Sequence, residues 1–215
     1  MIRSLFSGAE EADSIALDPH KWLYSPLEAG CTLVKDPNCL IKAFSAHPVY
    51  FNFLENEEPS TVNFFEYGLQ NSRGFRALKV WLALQQAGKN GYIQMIKEDI
   101  ALSKLMFEKA QDHPELEAVT QHLSIATFRY IPPGFKGKEV EEKEYLNKLN
   151  DSLLSRLEKA GEVFLSNAVI NEKYCLRACI VNFKTSEKDI VEIIEIITRE
   201  GKKMHEEMRS AGYIK

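Results

Sequence analysis

The stretch "SIALDPHKWLYSPLEAGCTLVKD", residues 14–36, decides how this chain is read. Residues 13–17 and 30–35 are short apolar runs with the composition of strands, and each closes on an Asp-Pro pair, Asp18-Pro19 and Asp36-Pro37. A residue ahead of proline is pushed out of the helical region, so each pair stops regular structure. Lys21 therefore falls on the connection between two strands, flanked by His20 and Trp22. Functional groups favour such connections because the strands on either side hold them still. The amine has two readings there. It is either a nucleophile aimed into a pocket, where a desolvated or cationic setting activates it toward carbonyls, or a solvated loop side chain.

Downstream, Ser45 to Arg73, "SAHPVYFNFLENEEPSTVNFFEYGLQNSR", has neither helical nor strand periodicity over a length that domains rarely leave irregular. Aromatics at its ends (Tyr50, Phe51, Phe53; Phe64, Phe65, Tyr67) and a polar, acidic middle suggest a lid or binding loop with anchored ends. Two amphipathic helices follow, "RGFRALKVWLALQQAGKNG" and "GYIQMIKEDIALSKLMFEKA", separated by Gly88 and Asn90-Gly91. Phe75, Leu78 and Leu82 share one face, as do Ile93, Ile96 and Ile100, and both stripes are expected to be core. After His113-Pro114 the texture changes to "ELEAVTQ" and "LSIATFRY" as strands, "PPGFKGK" as a loop, and a helix from Val140 that stops at Gly161. Two more strands, "EVFLSNAVI" and "YCLRACIVNF", precede a final helix, which Ser186 and Asp189 open as a capping box. Ile190, Ile193, Ile194 and Ile197 recur along it at helical spacing. This C-terminal part reads as a small α+β unit with a mostly antiparallel sheet. Residues 1–44 hold too few elements to be a domain by themselves.

Composition narrows the class. With 45% hydrophobic and 27% charged residues the chain can build an ordinary core, and no run of about 18 apolar residues exists to span a bilayer. A formal charge of -4, with the basic residues scattered among acidic ones, offers no surface for tracking nucleic-acid phosphates. Cys31, Cys39, Cys175 and Cys179 lack metal-ligand spacing or a disulfide pattern. The N-terminal residues have no apolar core of signal-peptide length, and a reducing, cytoplasmic setting is the expectation.

The longer string carries more. "ALDPHKWLYSPLEAGCTLVKD", followed by "PVYF" and "NSRGFRALKVWLAL", resembles the pyridoxal-phosphate-dependent amino-acid decarboxylases that include the aromatic-L-amino-acid and glutamate decarboxylases. Pro19-His20-Lys21-Trp22 after a strand is the most specific part. The resemblance implies an α/β fold, part of a fold-type-I (aspartate aminotransferase-like) enzyme. Residues 1–110 would form the end of the large cofactor domain, and 111–215 the complete small domain. Lys21 would hold pyridoxal 5'-phosphate as a Schiff base and His20 would contact the cofactor. Tyr50, in the matching "P-x-Y", would deliver a proton to the substrate's α-carbon once carbon dioxide has left. Family members that are aldehyde synthases carry phenylalanine there, so Tyr50 favours simple decarboxylation. Arg73 stands at the family's arginine ahead of "FR-x-LK", with Ser72 where the family has glycine. That stretch approaches the cofactor phosphate of the other subunit through backbone groups. His47, His113, His122 and His205 receive no role.

The same resemblance implies that the chain is the C-terminal half of such an enzyme. The aspartate that pairs with the ring nitrogen, the histidine that stacks on the ring and a phosphate loop are expected upstream of Met1, and the chain alone is expected to be inactive. The partners implied are an amino-acid substrate of aromatic type, the N-terminal half and, in the complete protein, a second subunit. Rival readings are another lyase of this fold, such as glutamate or diaminobutyrate decarboxylase, and a non-catalytic dimerisation remnant.

Overall fold

The computed structural model describes residues 2–46, 62–135 and 140–213. The chain divides into two compact units, Met1–Ala87 and Gly88–Lys215. That division falls earlier than the 110/111 division expected from the sequence. The physical reason is that Met106 and Ala110, on the second helical stretch, are wholly buried in the core of the second unit.

In the first unit, β1 (Ser14–Leu17) and β2 (Cys31–Val34) pair antiparallel, with Ser14 opposite Val34 and Leu17 opposite Cys31. The Lys35 N–H donates to Asp13 O at 2.9 Å and extends the ladder by one bond. Asp36 then turns the chain: its Oδ1 accepts the backbone N–H of Asn38 at 3.0 Å, ahead of α1 (Asn38–Phe44). In the irregular segment that follows, the described part contains one 3-10 turn, Phe64–Tyr67, which the sequence pattern did not predict. Ser45 Oγ donates to Glu66 Oε1 at 3.3 Å and ties that turn to the end of α1.

The helix α2 (Arg76–Asp112) is broken at Gly88, whose φ of 63° and ψ of 174° only glycine adopts without strain. The two helices expected from sequence are therefore present. Asn90 and Gly91, expected to help separate them, are helical. Neither apolar stripe is core. Phe75 is 75% exposed, and Leu78, Leu82 and Ile93 are also exposed. The buried face beyond Gly88 is instead Tyr92, Asp99, Ser103, Met106 and Ala110. Helical spacing identifies an apolar face, but which face is covered depends on what packs there.

The second unit is the α+β sandwich the sequence suggests. Strands β3 (Leu116–His122), β4 (Ile125–Tyr130), β5 (Ser166–Ile170) and β6 (Lys173–Cys179) form an antiparallel sheet in the order β3-β4-β6-β5. Asn171 and Glu172, both at positive φ, make the two-residue turn that joins Ile170 to Lys173. Helices α3 (Val140–Ala160) and α4 (Glu187–Ser210) pack on the sheet. Ala126, Phe128 and Tyr130, alternating along β4, meet Leu146, Leu149, Leu153 and Leu157 of α3 and Ile190, Ile194 and Ile197 of α4 in one core. The capping box stands as expected, with Ser186 Oγ accepting the Asp189 N–H and the Asp189 carboxylate accepting the Ser186 N–H.

Candidate active site

The β1–β2 connection is built by its own backbone. Past Asp18-Pro19 the Lys21 N–H donates to Asp18 O at 2.9 Å, and the Ser25 N–H returns to Pro19 O at 3.1 Å, so the chain curls around a buried proline. Tyr24, at φ 51°, reverses its direction. The Lys21 side chain projects from this curl, 69% exposed, with Nζ 2.7 Å from Asp18 Oδ2. That ammonium, by its hydrogen bond, holds the Asp18 carboxyl below its ordinary range.

His20 is held differently. Its ring Nδ1 lies 2.8 Å from Ala29 O and 3.1 Å from Ala29 N, and the His20 backbone N–H donates to Ala29 O at 3.4 Å. Ala29 is buried. The ring is therefore pinned along one edge, and Nε2 has no hydrogen-bond partner among the described residues.

A cavity of about 880 Å³ opens in the same unit, with Glu28, Gly30, Ser72, Arg73, Phe75 and Arg76 in its wall. Ser72 and Arg73 are thus brought together on one cavity, while Lys21 and His20 are not among its lining residues. The Arg73 guanidinium turns back on its own loop: Nη2 donates to Phe64 O at 2.9 Å and Gln70 O at 3.2 Å. Its charge is thus occupied with main-chain carbonyls. Sequence reasoning missed Arg76 and Glu28. Arg76 Nε and Nη2 both donate to Glu28 Oε1, at 2.9 and 2.5 Å, and this pairing holds the Glu28 carboxyl below its usual range. Forty-eight positions separate the pair, and no local pattern signals it. Tyr50 and His47 lie outside the described residues. Of the other described histidines, His122 is exposed on β3, and two have structural places. His113 Nδ1 accepts the Glu115 N–H, and His205 Nδ1 meets Tyr145 Oη at 2.7 Å between the rings of Tyr145 and Phe135.

The Lys21 turn therefore presents a primary amine, a group able to attack carbonyls when unprotonated, beside an imidazole whose Nε2 is open to a ligand. Residues 1–131 match the family model of the pyridoxal-dependent decarboxylase conserved domain, and residues 106–209 match that of the PDXDC1-like second central domain. The chain belongs to the pyridoxal-dependent decarboxylase family. It is 34% identical over 192 residues to the aromatic-L-amino-acid decarboxylase of Bacillus atrophaeus, an alignment covering 89% of this chain and 39% of that one. Among solved structures it is similar to Catharanthus roseus tryptophan decarboxylase in complex with L-tryptophan, at 26% identity and a TM-score of 0.75, covering 94% of this chain and 39% of that one. Oryza sativa TDC with PLP and tryptamine shares the fold, with a TM-score of 0.82 at 24% identity, covering 94% of this chain and 41% of that one. The expected fold, part of a fold-type-I enzyme, is the one these structures share with the chain. The chain spans about two fifths of the length of the curated relatives it matches.

The donor set fits the family's cofactor. Lys21 offers an accessible amine to an aldehyde, and the His20 Nε2 and the backbone of Ser72 and Arg73 are groups of the kind that bind an anionic oxygen.

Proposed function

We propose that this chain carries the lysine loop and small domain of a pyridoxal-phosphate-dependent decarboxylase that converts an aromatic L-amino acid to its amine and carbon dioxide. One observation carries the reading. Lys21 extends an exposed amine from a turn locked by backbone hydrogen bonds, beside a histidine pinned by Ala29, inside the motif through which the family holds its cofactor. Aromatic substrates are favoured because the relatives named above are aromatic-L-amino-acid and tryptophan decarboxylases.

Lys21 would hold the cofactor through its amine and His20 through its imidazole, while Ser72 and Arg73 would reach, through backbone groups, the cofactor held by the second subunit. When bound, pyridoxal phosphate supplies an aldehyde for amines and a ring that takes up the electrons released as the carboxylate departs. This chain's own residues do the rest. Asp18 holds the Lys21 ammonium in place, and the amine must leave that pair and lose a proton before it can act as a nucleophile. The Ala29 peptide groups fix the plane of the His20 ring. Tyr50 would donate the proton to the substrate's α-carbon once carbon dioxide has left. Activity requires a longer polypeptide than these 215 residues and a second subunit, and it takes place in the cytoplasm, where the four free cysteines stay reduced.

The test is covalent trapping. The chain, joined to any in-frame coding sequence ahead of Met1, is incubated with pyridoxal phosphate, reduced with borohydride and mapped by mass spectrometry. The label falls on Lys21 and is absent from Lys21→Ala. Carbon dioxide release is then measured with tryptophan, tyrosine, phenylalanine, glutamate and 2,4-diaminobutyrate. Label on another lysine overturns the Lys21 assignment, and release from glutamate or diaminobutyrate alone overturns the aromatic one.

A further inference from the structure

We propose that Arg76, acting through Glu28, is a positioning residue that sets which ring nitrogen of His20 carries the proton. The inference rests on reading the Lys21 loop as the cofactor-holding loop, and adds to it a device that orients the loop's histidine.

The geometry is a short relay. Arg76, at the start of α2, places two N–H groups on one oxygen of Glu28, at 2.9 and 2.5 Å. An exposed ion pair of this kind adds little to stability. A guanidinium edge gripping a single carboxylate does restrict how the residue bearing it can turn. The peptide that follows Glu28 carries the Ala29 N–H, 3.1 Å from His20 Nδ1, and the Ala29 carbonyl lies 2.8 Å from the same nitrogen. One residue thus presents a donor and an acceptor to one ring nitrogen. When Nδ1 accepts from the Ala29 N–H, the ring proton sits on Nε2, which can then donate to an anionic oxygen. When Nδ1 donates to the carbonyl, Nε2 is an acceptor and suits no anion. A small rotation about Glu28–Ala29 decides between the two, and that rotation is what the Arg76–Glu28 pair restrains. Arg76 also stands in the cavity wall with Ser72 and Arg73, so it links that wall to the histidine of the lysine loop.

The readout is the imidazole itself. The full chain, labelled with ¹⁵N-histidine, is studied without cofactor by long-range proton–nitrogen NMR, above the ordinary imidazole pKa of about 6.5. His20 is assigned by loss of its signals in His20→Gln. In the wild type the two His20 nitrogens resonate far apart, as one dominant tautomer requires. In Arg76→Met they move toward each other as the two forms mix, and the Glu28→Arg/Arg76→Glu swap restores the separation. Glu28→Gln keeps the shape of the side chain and weakens the grip. It decides the case if Arg76→Met disturbs the other four histidines as well. Unchanged separation in the variants, an averaged wild-type ring, or a swap that restores nothing each overturns the proposal. Because no cofactor is present, failure of Lys21 trapping would overturn the cofactor reading and leave this result standing.

Discussion

Replacing Asn150 with leucine removes a side chain that joins α3 to the end of β4. Its Oδ1 accepts the Tyr130 N–H at 2.8 Å, and its Nδ2 donates to Tyr130 O at 2.9 Å and to Leu146 O at 2.8 Å, all within the buried core. Leucine is of similar size, so the loss is one of hydrogen bonds rather than volume. Leu146 O keeps its helical N–H, whereas both Tyr130 groups lose their side-chain partner. A buried polar group stranded in this way costs about 1–3 kcal/mol, which puts two at about 4 kcal/mol. That is a large part of the roughly 5–15 kcal/mol by which a domain is stable. The quantity to measure is hydrogen exchange of the slowest amides in β4 and β6, which open only when the second unit unfolds. At about 1.4 kcal/mol per tenfold change, their protection should fall about a thousandfold. Asn147, one turn earlier, makes the same kind of bonds, accepting from the Tyr174 N–H and donating to Glu172 O at 2.8 Å each, but it is only half-buried. Water can replace its bonds, so Asn147→Leu should cost about 1 kcal/mol. A loss of protection below tenfold in Asn150→Leu, or equal losses in the two variants, would refute the argument that burial sets the cost.

Gly201→Ala would place a Cβ 2.6–2.8 Å from ring carbons of Tyr130, whose backbone Asn150 holds in place. The overpacking cost of about 1–3 kcal/mol should outweigh the roughly 1 kcal/mol gained in helix propensity, and the melting temperature should fall. A rise would show that the ring gives way. Burial raises the Glu117 carboxyl, but hydrogen bonds from Lys173 and Arg129 outweigh it and leave the folded-state pKa below the ordinary 4.5. With the folded pKa depressed, the stability this group contributes is complete above 4.5 and is lost as pH falls through the lower folded value. Denaturation midpoints followed downward from neutral pH should drop in that window, and Glu117→Gln should remove this part of the drop. An identical acid profile in the variant would exclude the group.

Much of the molecule was legible without its structure because the signals are local. Asp18-Pro19 and Asp36-Pro37 stop β1 and turn the chain after β2, Gly88 breaks α2, and Ser186 with Asp189 caps α4, each acting through neighbours a few positions away. The family, too, was readable from the short run Pro19-His20-Lys21-Trp22, since that signal lies in consecutive residues and needs no distant partner. What the sequence could not determine is what covers each face and which distant side chains meet. Phe75, Leu78 and Leu82 are apolar at helical spacing and yet exposed. The Arg76–Glu28 pair, the hold of Asn150 on Tyr130 and the seat of the Tyr130 ring on Gly201 join residues tens of positions apart. Such contacts exist only after the chain path has brought the elements together. Spacing along the chain describes one element at a time, and the energies of packing and buried hydrogen bonds belong to pairs of them.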